Sequence, residues 1–339
     1  MQNLGKLNDY LEKIDKVISE GKYKDDWKSL AKHDVPTWYR DGKLGIFVHW
    51  GVYTVPEFSD EWYPRRMYLK DQPRRGLDCF QHHIDTYGEH KDFGYKDLIP
   101  MFKAEKFDAS EWVSLFKEAG AKFVMPVAEH HDGFQMYDSE LSDWNAVKMG
   151  PKRDLIAEWK EEILKQDLVF TASSHRIEHY FFFEGGREFD SDLKDLSYGD
   201  LYWPAATKEE WNTKDGVVVD ELFMKDWLAR TCEIVDKYQP QIIFFDWWIQ
   251  VEPLKPYLKK FMAYYYNRAL EWGKEVTVNY KHDAFIHTSA VKDIERGQLT
   301  DVSPFFWQND TSVAKHSWSY THGNEYKHPN DIISDLVDV

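Results

Sequence analysis

The chain has only two cysteines, Cys79 and Cys232, in 339 residues. That is too few for a disulfide framework, and their spacing is not that of a zinc site. No apolar run reaches the length of a membrane span. The N-terminus is polar and shows no signal peptide, so the chain as written is expected to be soluble and cytoplasmic. A periplasmic or secreted protein is not excluded if the sequence is a fragment. Basic residues are in deficit: a formal net charge of −16 argues against a nucleic-acid or anionic-membrane partner. Also missing are a P-loop, a GxGxxG after a strand, a Gly-x-Ser-x-Gly elbow and an HExxH helix.

What the chain has in plenty is aromatic surface. Aromatic residues make up 17% of it, enough to fill a core and still wall a site with flat rings of the kind on which sugar C–H faces pack. The length allows one large or two ordinary domains, and a single α/β barrel of about 250 residues fits within it.

Leu4, Leu7, Leu11, Ile14, Val17 and Ile18 recur at helical spacing and define an amphipathic N-terminal helical extension over 1–34. From residue 35 to 339, strand-like and helix-like stretches alternate, the pattern of a parallel sheet. Short apolar runs at 44–48, 123–128, 168–172 and 241–245 read as buried strands, and 275–280 as the next. Weaker candidates lie around Ile294 and Phe305–Trp307. Helices are expected from Asp108, as N-cap, to Gly120, over 154–165, 220–238 and 255–272. Residues 70–95 read as an excursion from the scaffold, and 184–216 as a loop over the site. The expected fold class is α/β, a (β/α)8-like (TIM-type) barrel.

Four of the apolar runs end in His or Asp: His49, His130 with His131, His175, and Asp246. Active sites of such barrels are assembled from the C-terminal ends of several strands. Asp246 alone, in Phe244-Phe245-Asp246-Trp247-Trp248, reads as readily as a helix cap as a catalyst. Four agreeing strand ends favour a sugar-sized pocket. A neutral imidazole offers one donor and one acceptor, which suits a hydroxyl that must do both. Adjacent histidines on an extended segment point in opposite directions, so a shared metal is the minority reading. Glycoside hydrolysis needs a second carboxyl group, for which Glu57, Glu61, Glu129, Glu178 and Glu295 are candidates. Glu295 precedes Arg296 and Gly297, where glycine permits a tight turn.

These segments resemble the α-L-fucosidase family, glycoside hydrolase family 29. The matching stretches are Gly45–Pro56, Glu61-Trp62-Tyr63-Pro64-Arg65, Phe107–Trp112, Ala119–Lys122, His130-His131-Asp132-Gly133-Phe134, Gly150–Asp154 and Phe245-Asp246. The resemblance implies an exo-acting retaining hydrolase that removes α-L-fucose, or a related sugar such as L-galactose, from an oligosaccharide or glycoconjugate. It implies no metal and no organic cofactor. His49, Glu61, His130 and His131 match positions that bind fucose hydroxyls, Asp246 matches the nucleophile, and aromatic neighbours such as Phe244 and Trp248 would receive the sugar's methyl group. Trp62, His175 and Glu178 complete the expected pocket.

Three departures stand out. Where many relatives carry a Trp-Glu pair with the acid/base, this chain reads Trp307-Gln308, and Gln cannot transfer a proton, so Glu295 becomes the expected acid/base. A Tyr-Tyr-Ser-like stretch is here Ser173-Ser174-His175-Arg176. The family's last barrel strand and C-terminal β-sandwich are expected to be missing beyond Val339, although Ile332, Ile333, Leu336 and Val337 are spaced for a buried helix face. A rival reading is a carbohydrate-binding or inactive homologue.

Overall fold

Apolar runs that stop in polar residues become the strands of one parallel sheet. The computed structural model describes residues 4–337. Its main strands are β1 (Gly45–Val48), β2 (Phe123–Glu129), β3 (Val169–Phe170), β4 (Ala172–Ser174), β5 (Ile242–Phe245), β6 (Thr277–Tyr280), β7 (Val291–Glu295) and β8 (Trp307–Asp310). They lie in the order β1-β2-β4-β5-β6-β7-β8, with β3 also beside β2, and every pairing is parallel. β3 and β4 come from one predicted strand. It is interrupted at Thr171, whose hydroxyl donates to the Val124 carbonyl at 2.8 Å. The β2–β4 register then shifts between Val127 and Glu129.

Alternation along the strands sorts the side chains into two layers. Phe47, Phe123, Met125, Ile242, Phe244 and Val291 pack together inside the curl of the sheet. Val124, Phe170, Ile243 and Phe245 face outward into the larger cluster under the helices. β1 and β8 are the two ends of the order and do not pair with each other among the described residues. Tyr39 packs with the inner cluster, its ring 5.5 Å from that of Phe123 and 5.3 Å from that of Phe306. Its hydroxyl bonds Gln308 and accepts from Asn279 Nδ2 at 3.1 Å.

The predicted helices form where their caps are. α1 (Leu4–Glu20) is followed by α2 (Cys79–Tyr87), a helix not expected within the 70–95 excursion, and then by α3 (Ala109–Glu118), α4 (Leu155–Lys165), α5 (Glu221–Tyr238), α6 (Lys255–Trp272) and α7 (Pro329–Val337). Asp108, Asp154 and Asp220 each accept from the amide three residues on, at 3.1, 2.9 and 3.0 Å. Leu7, Ile14 and Ile18 of α1 are buried, and Lys13 and Asp15 pair with Asp236 of α5 and Lys260 of α6.

Two expectations about the outer segments change. Residues 184–216 fold into short helical turns and a two-residue hairpin, and none of them lines the pocket described below. Their aromatic residues turn inward instead: Tyr202 is buried and donates to Asp192, which also accepts from Tyr68 at 2.7 Å. The other concerns α7, which forms but has no buried residue among those described. Ile333 and Val337 are 57% and 75% exposed, because no described element packs on that face.

Candidate functional site

Ile242, Phe244 and Asp246 alternate onto the inner face, so the carboxylate emerges inside the barrel at its C-terminal mouth. Gly45, Phe47 and His49 do the same on β1. The result is a cavity of about 360 Å³ lined by His49, His130, His131, His175, Asp246 and their neighbours. The strand ends predicted to converge do converge.

Asp246 is held on both oxygens. Its Oδ1 accepts the Trp247 amide at 2.8 Å, and its Oδ2 lies 3.2 Å from His175 Nδ1 and 3.7 Å from His131 Nε2. His175 is braced by Ser173 Oγ at 3.2 Å from its Nε2. Burial alone would raise the Asp246 carboxyl. The hydrogen bond and charge of His175, with Lys281 and His131, hold it well below the usual carboxylate range instead. His49 and His130 are pushed well below an ordinary imidazole by burial first and then by neighbouring histidines, chiefly His175 for His49 and His131 for His130, and His131 down to about 3. The ionised Asp246 carboxylate therefore shares the cavity with three imidazoles, those of His49, His130 and His131, that resist protonation.

Glu61 is buried and lines the same cavity. It accepts the Trp318 amide at 2.8 Å and the Ser317 hydroxyl at 3.2 Å, so it also ties the 316–318 loop over the site. Trp62 and Trp247 form an aromatic wall with ring centroids 6.2 Å apart.

Two residues expected in the pocket lie elsewhere. Trp248 does not line it: the strand ends at Phe245, Trp248 takes a positive φ of 65°, and its ring packs on Phe181 and Trp211 in the core. The resemblance implied Trp248, but the turn delivers Trp247. Glu178 is completely buried behind the lining, with Oε2 3.2 Å from His131 Nδ1. Burial first, then the charges of Asp246 and Glu295, raise it far above an ordinary carboxyl. It acts on His131 rather than on the cavity.

The other carboxyl candidates separate by partner. Glu57 pairs with His322 at 2.6 Å outside the pocket, and Glu129 is buried against Arg230 and Arg176 at 3.0 and 3.4 Å. Glu295 lines the exposed end of the cavity, at the end of β7. The positive φ in its turn belongs to Arg296, at 47°, and not to Gly297.

Sequence reasoning did not single out Lys281 or Asp310. Lys281 follows β6 and places Nζ 2.6 Å from Asp293 Oδ2, 3.1 Å from Asp310 Oδ1 and 3.2 Å from Glu295 Oε2. Glu295 is half exposed, but Asp293 and Asp310 lie in the interior beside that one ammonium, and carboxylates so placed disfavour each other's ionisation. Asp310 takes the proton: burial, then Asp293, raise it well above its usual range. The available signal was the strand-end rule itself, since Asp310 closes β8 as Asp246 follows β5. Gln308, two residues earlier on the same face, sits lower in the barrel and donates to Asp293 Oδ1 at 2.6 Å.

Two trios, His49/His130/His175 and His131/His175/Asp246, keep one ligand atom each within 4.8 Å and could approach a cation. The adjacent His130 and His131 fall in different trios, as their alternation requires.

A parallel barrel whose strand ends gather a carboxylate, several imidazoles and indole walls is similar in make-up to the sites of glycoside hydrolases. The comparisons agree. The family model described as Alpha-L-fucosidase matches residues 11–339, and the chain belongs to that family. It is 27% identical to plasma alpha-L-fucosidase of Homo sapiens over 332 residues, 92% of this chain and 62% of the relative. It is 28% identical to an alpha-L-fucosidase of Dictyostelium discoideum over 342 residues, 95% of this chain and 66% of the relative. Among solved structures, Thermotoga maritima alpha-fucosidase in complex with fucose superimposes with a TM-score of 0.69 at 30% identity, covering 94% of this chain and 68% of that one. The chain thus spans a little under two thirds of the length of the curated relatives it matches.

Proposed function

We propose that the chain is a retaining exo-glycosidase that hydrolyses terminal α-L-fucosides. Family membership and the likeness to a fucosidase that binds fucose support the substrate class. The observation that carries the chemistry is Asp246, a carboxylate kept ionised at the buried end of a sugar-sized cavity. In this reading Asp246 attacks the anomeric carbon as the bond to the aglycone breaks. Glu295, at the exposed end, gives its proton to the departing oxygen. A water then attacks the glycosyl–Asp246 ester, Glu295 takes the water's proton, and the carboxylate is regenerated. His49, His130, His131 and Glu61 hold the ring hydroxyls, and Trp62 and Trp247 take its apolar edge. Lys281 keeps Glu295 near the mouth through the 3.2 Å contact.

Release of nitrophenolate from p-nitrophenyl α-L-fucoside tests the reading. Asp246→Ala is expected to lower turnover by about a thousandfold or more. Absence of release by the folded wild-type chain would overturn it and favour a carbohydrate-binding role.

A further inference from the structure

The cavity changes character along its length. At the Asp246 end the imidazoles of His130, His131 and His175 are buried. At the other end the lining is Arg74, Arg75, Arg296 and His316, all exposed, with Glu295 among them. In a chain of net charge −16, three guanidinium groups at one pocket mouth reverse the local sign.

Their contacts leave them available. Arg75 Nη1 donates to the His316 carbonyl at 2.7 Å, and its nearest carboxylate oxygen is Asp60 Oδ2 at 3.9 Å. Asp60 already has a closer partner in Arg66. Arg296 donates to the Lys315 carbonyl at 3.1 Å and to Ser312 Oγ at 2.7 Å, and stacks 4.8 Å over the Trp318 ring. The 312–318 loop is thereby held between the two arginines, which places them on one side of the opening. The Arg74 side chain has no hydrogen bond or ion pair among the described residues. Arginine forks aimed at solvent beside a proton donor are suited to planar or tetrahedral oxyanions.

We propose that this rim is the leaving-group subsite and that it selects an anionic saccharide, one carrying a carboxylate or a sulfate ester on the sugar next to the scissile bond. The proposal rests on the fucosidase reading, because the aglycone must lie over the exposed end when the fucosyl ring occupies the buried one. Arg74 meets the anion directly, and Arg75 and Arg296 add charge while fixing the loop that completes the rim.

The test compares kcat/KM for α-L-fucosyl disaccharides in matched pairs: glucuronic acid against glucose as the second sugar, and sulfated against unsulfated N-acetylglucosamine. The wild type is expected to favour the anionic member of at least one pair by about tenfold, the worth of one charge-assisted contact. The pair that shows the preference identifies the anion. Arg74→Gln should shrink that ratio, and Arg74→Glu should bring it to unity or below. A wild-type ratio of one in both pairs overturns the proposal, as does a ratio that neither variant moves. Turnover of the nitrophenyl fucoside is measured alongside. Its presence with equal ratios sinks the rim proposal alone, whereas its absence removes the fucosidase reading and the rim with it.

Discussion

Glu178 shows how a residue can matter to a site without lining it. His131 has two neighbours on its Nδ1 side, Glu178 Oε2 at 3.2 Å and the His175 carbonyl at 3.3 Å, which leaves Nε2 for the pocket and Asp246. Removing one brace loosens the ring, and a displacement of about 1 Å near the reacting centre can cost as much as a hundredfold. Glu178→Ala is therefore expected to lower kcat on p-nitrophenyl α-L-fucoside by about tenfold or more and to alter the acid limb of its pH profile. Glu178→Gln, equal in size and uncharged as the native group is, should recover most of the loss. Wild-type kinetics in the alanine variant would show that His131 needs no such brace. At this scale the sequence was legible wherever a residue ended a strand. His49, His175 and Asp246 were found by that rule, and Asp310 obeys it too. What could not be read was depth: nothing local distinguishes Glu178, behind the wall, from Glu295, at the mouth. That difference is made by the helical turn Arg176–Glu178 after β4.

Among the elements, α5 carries the clearest surprise. Asp226 and Arg230 are four apart, a spacing common for pairs on exposed helix faces, yet both are buried. They close a ring with Glu129 at the end of β2 and Arg176 after β4: Arg230 to Glu129 at 3.0 Å, Arg176 to Asp226 at 2.9 Å, and Arg230 Nε to Asp226 at 3.0 Å. Two basic and two acidic side chains face one another there, and the ring clamps a helix to two strand ends beneath the site. Breaking such a ring leaves an uncompensated buried charge. Arg230→Met should lower unfolding stability by about 3–5 kcal/mol in urea denaturation, and a loss under about 1 kcal/mol would mean that the ring is dispensable. Helix and strand positions were legible from periodicity and caps because those signals are local. The partners of Glu129 and Arg176 were not, since they come from α5, far along the chain.

Taken whole, the molecule keeps several acids protonated by burial, and that sets a pH dependence. Asp132, beside the site, and Glu233, on α5, are each pushed up to about 7, mainly by burial. Their unfolded values lie near about 4. Between about 4 and about 7 the folded state binds more protons than the unfolded one, so each group's contribution to stability falls as pH rises through that window. Removing both, as Asp132→Asn with Glu233→Gln, should make the variant gain on the wild type in melting temperature from pH 5 to pH 8. A difference that stays constant with pH would show that neither group titrates there. The parallel order of strands was legible at this scale from alternating elements alone. The missing pairing between β1 and β8 was anticipated only through the family resemblance, because an unpaired sheet edge has no local signature.

In the proposed reading the substrate enters over the arginine rim, and the buried imidazoles at the other end of the cavity form its floor. Traffic through it is therefore last in, first out. A free chain end can enter ring first, whereas the middle of a polymer has no way past the floor. Once the bond is cut, the piece over the rim must leave before the piece beneath it can move. In that reading the sugar left on the floor is the last to go, and until it departs the next chain end finds its place occupied.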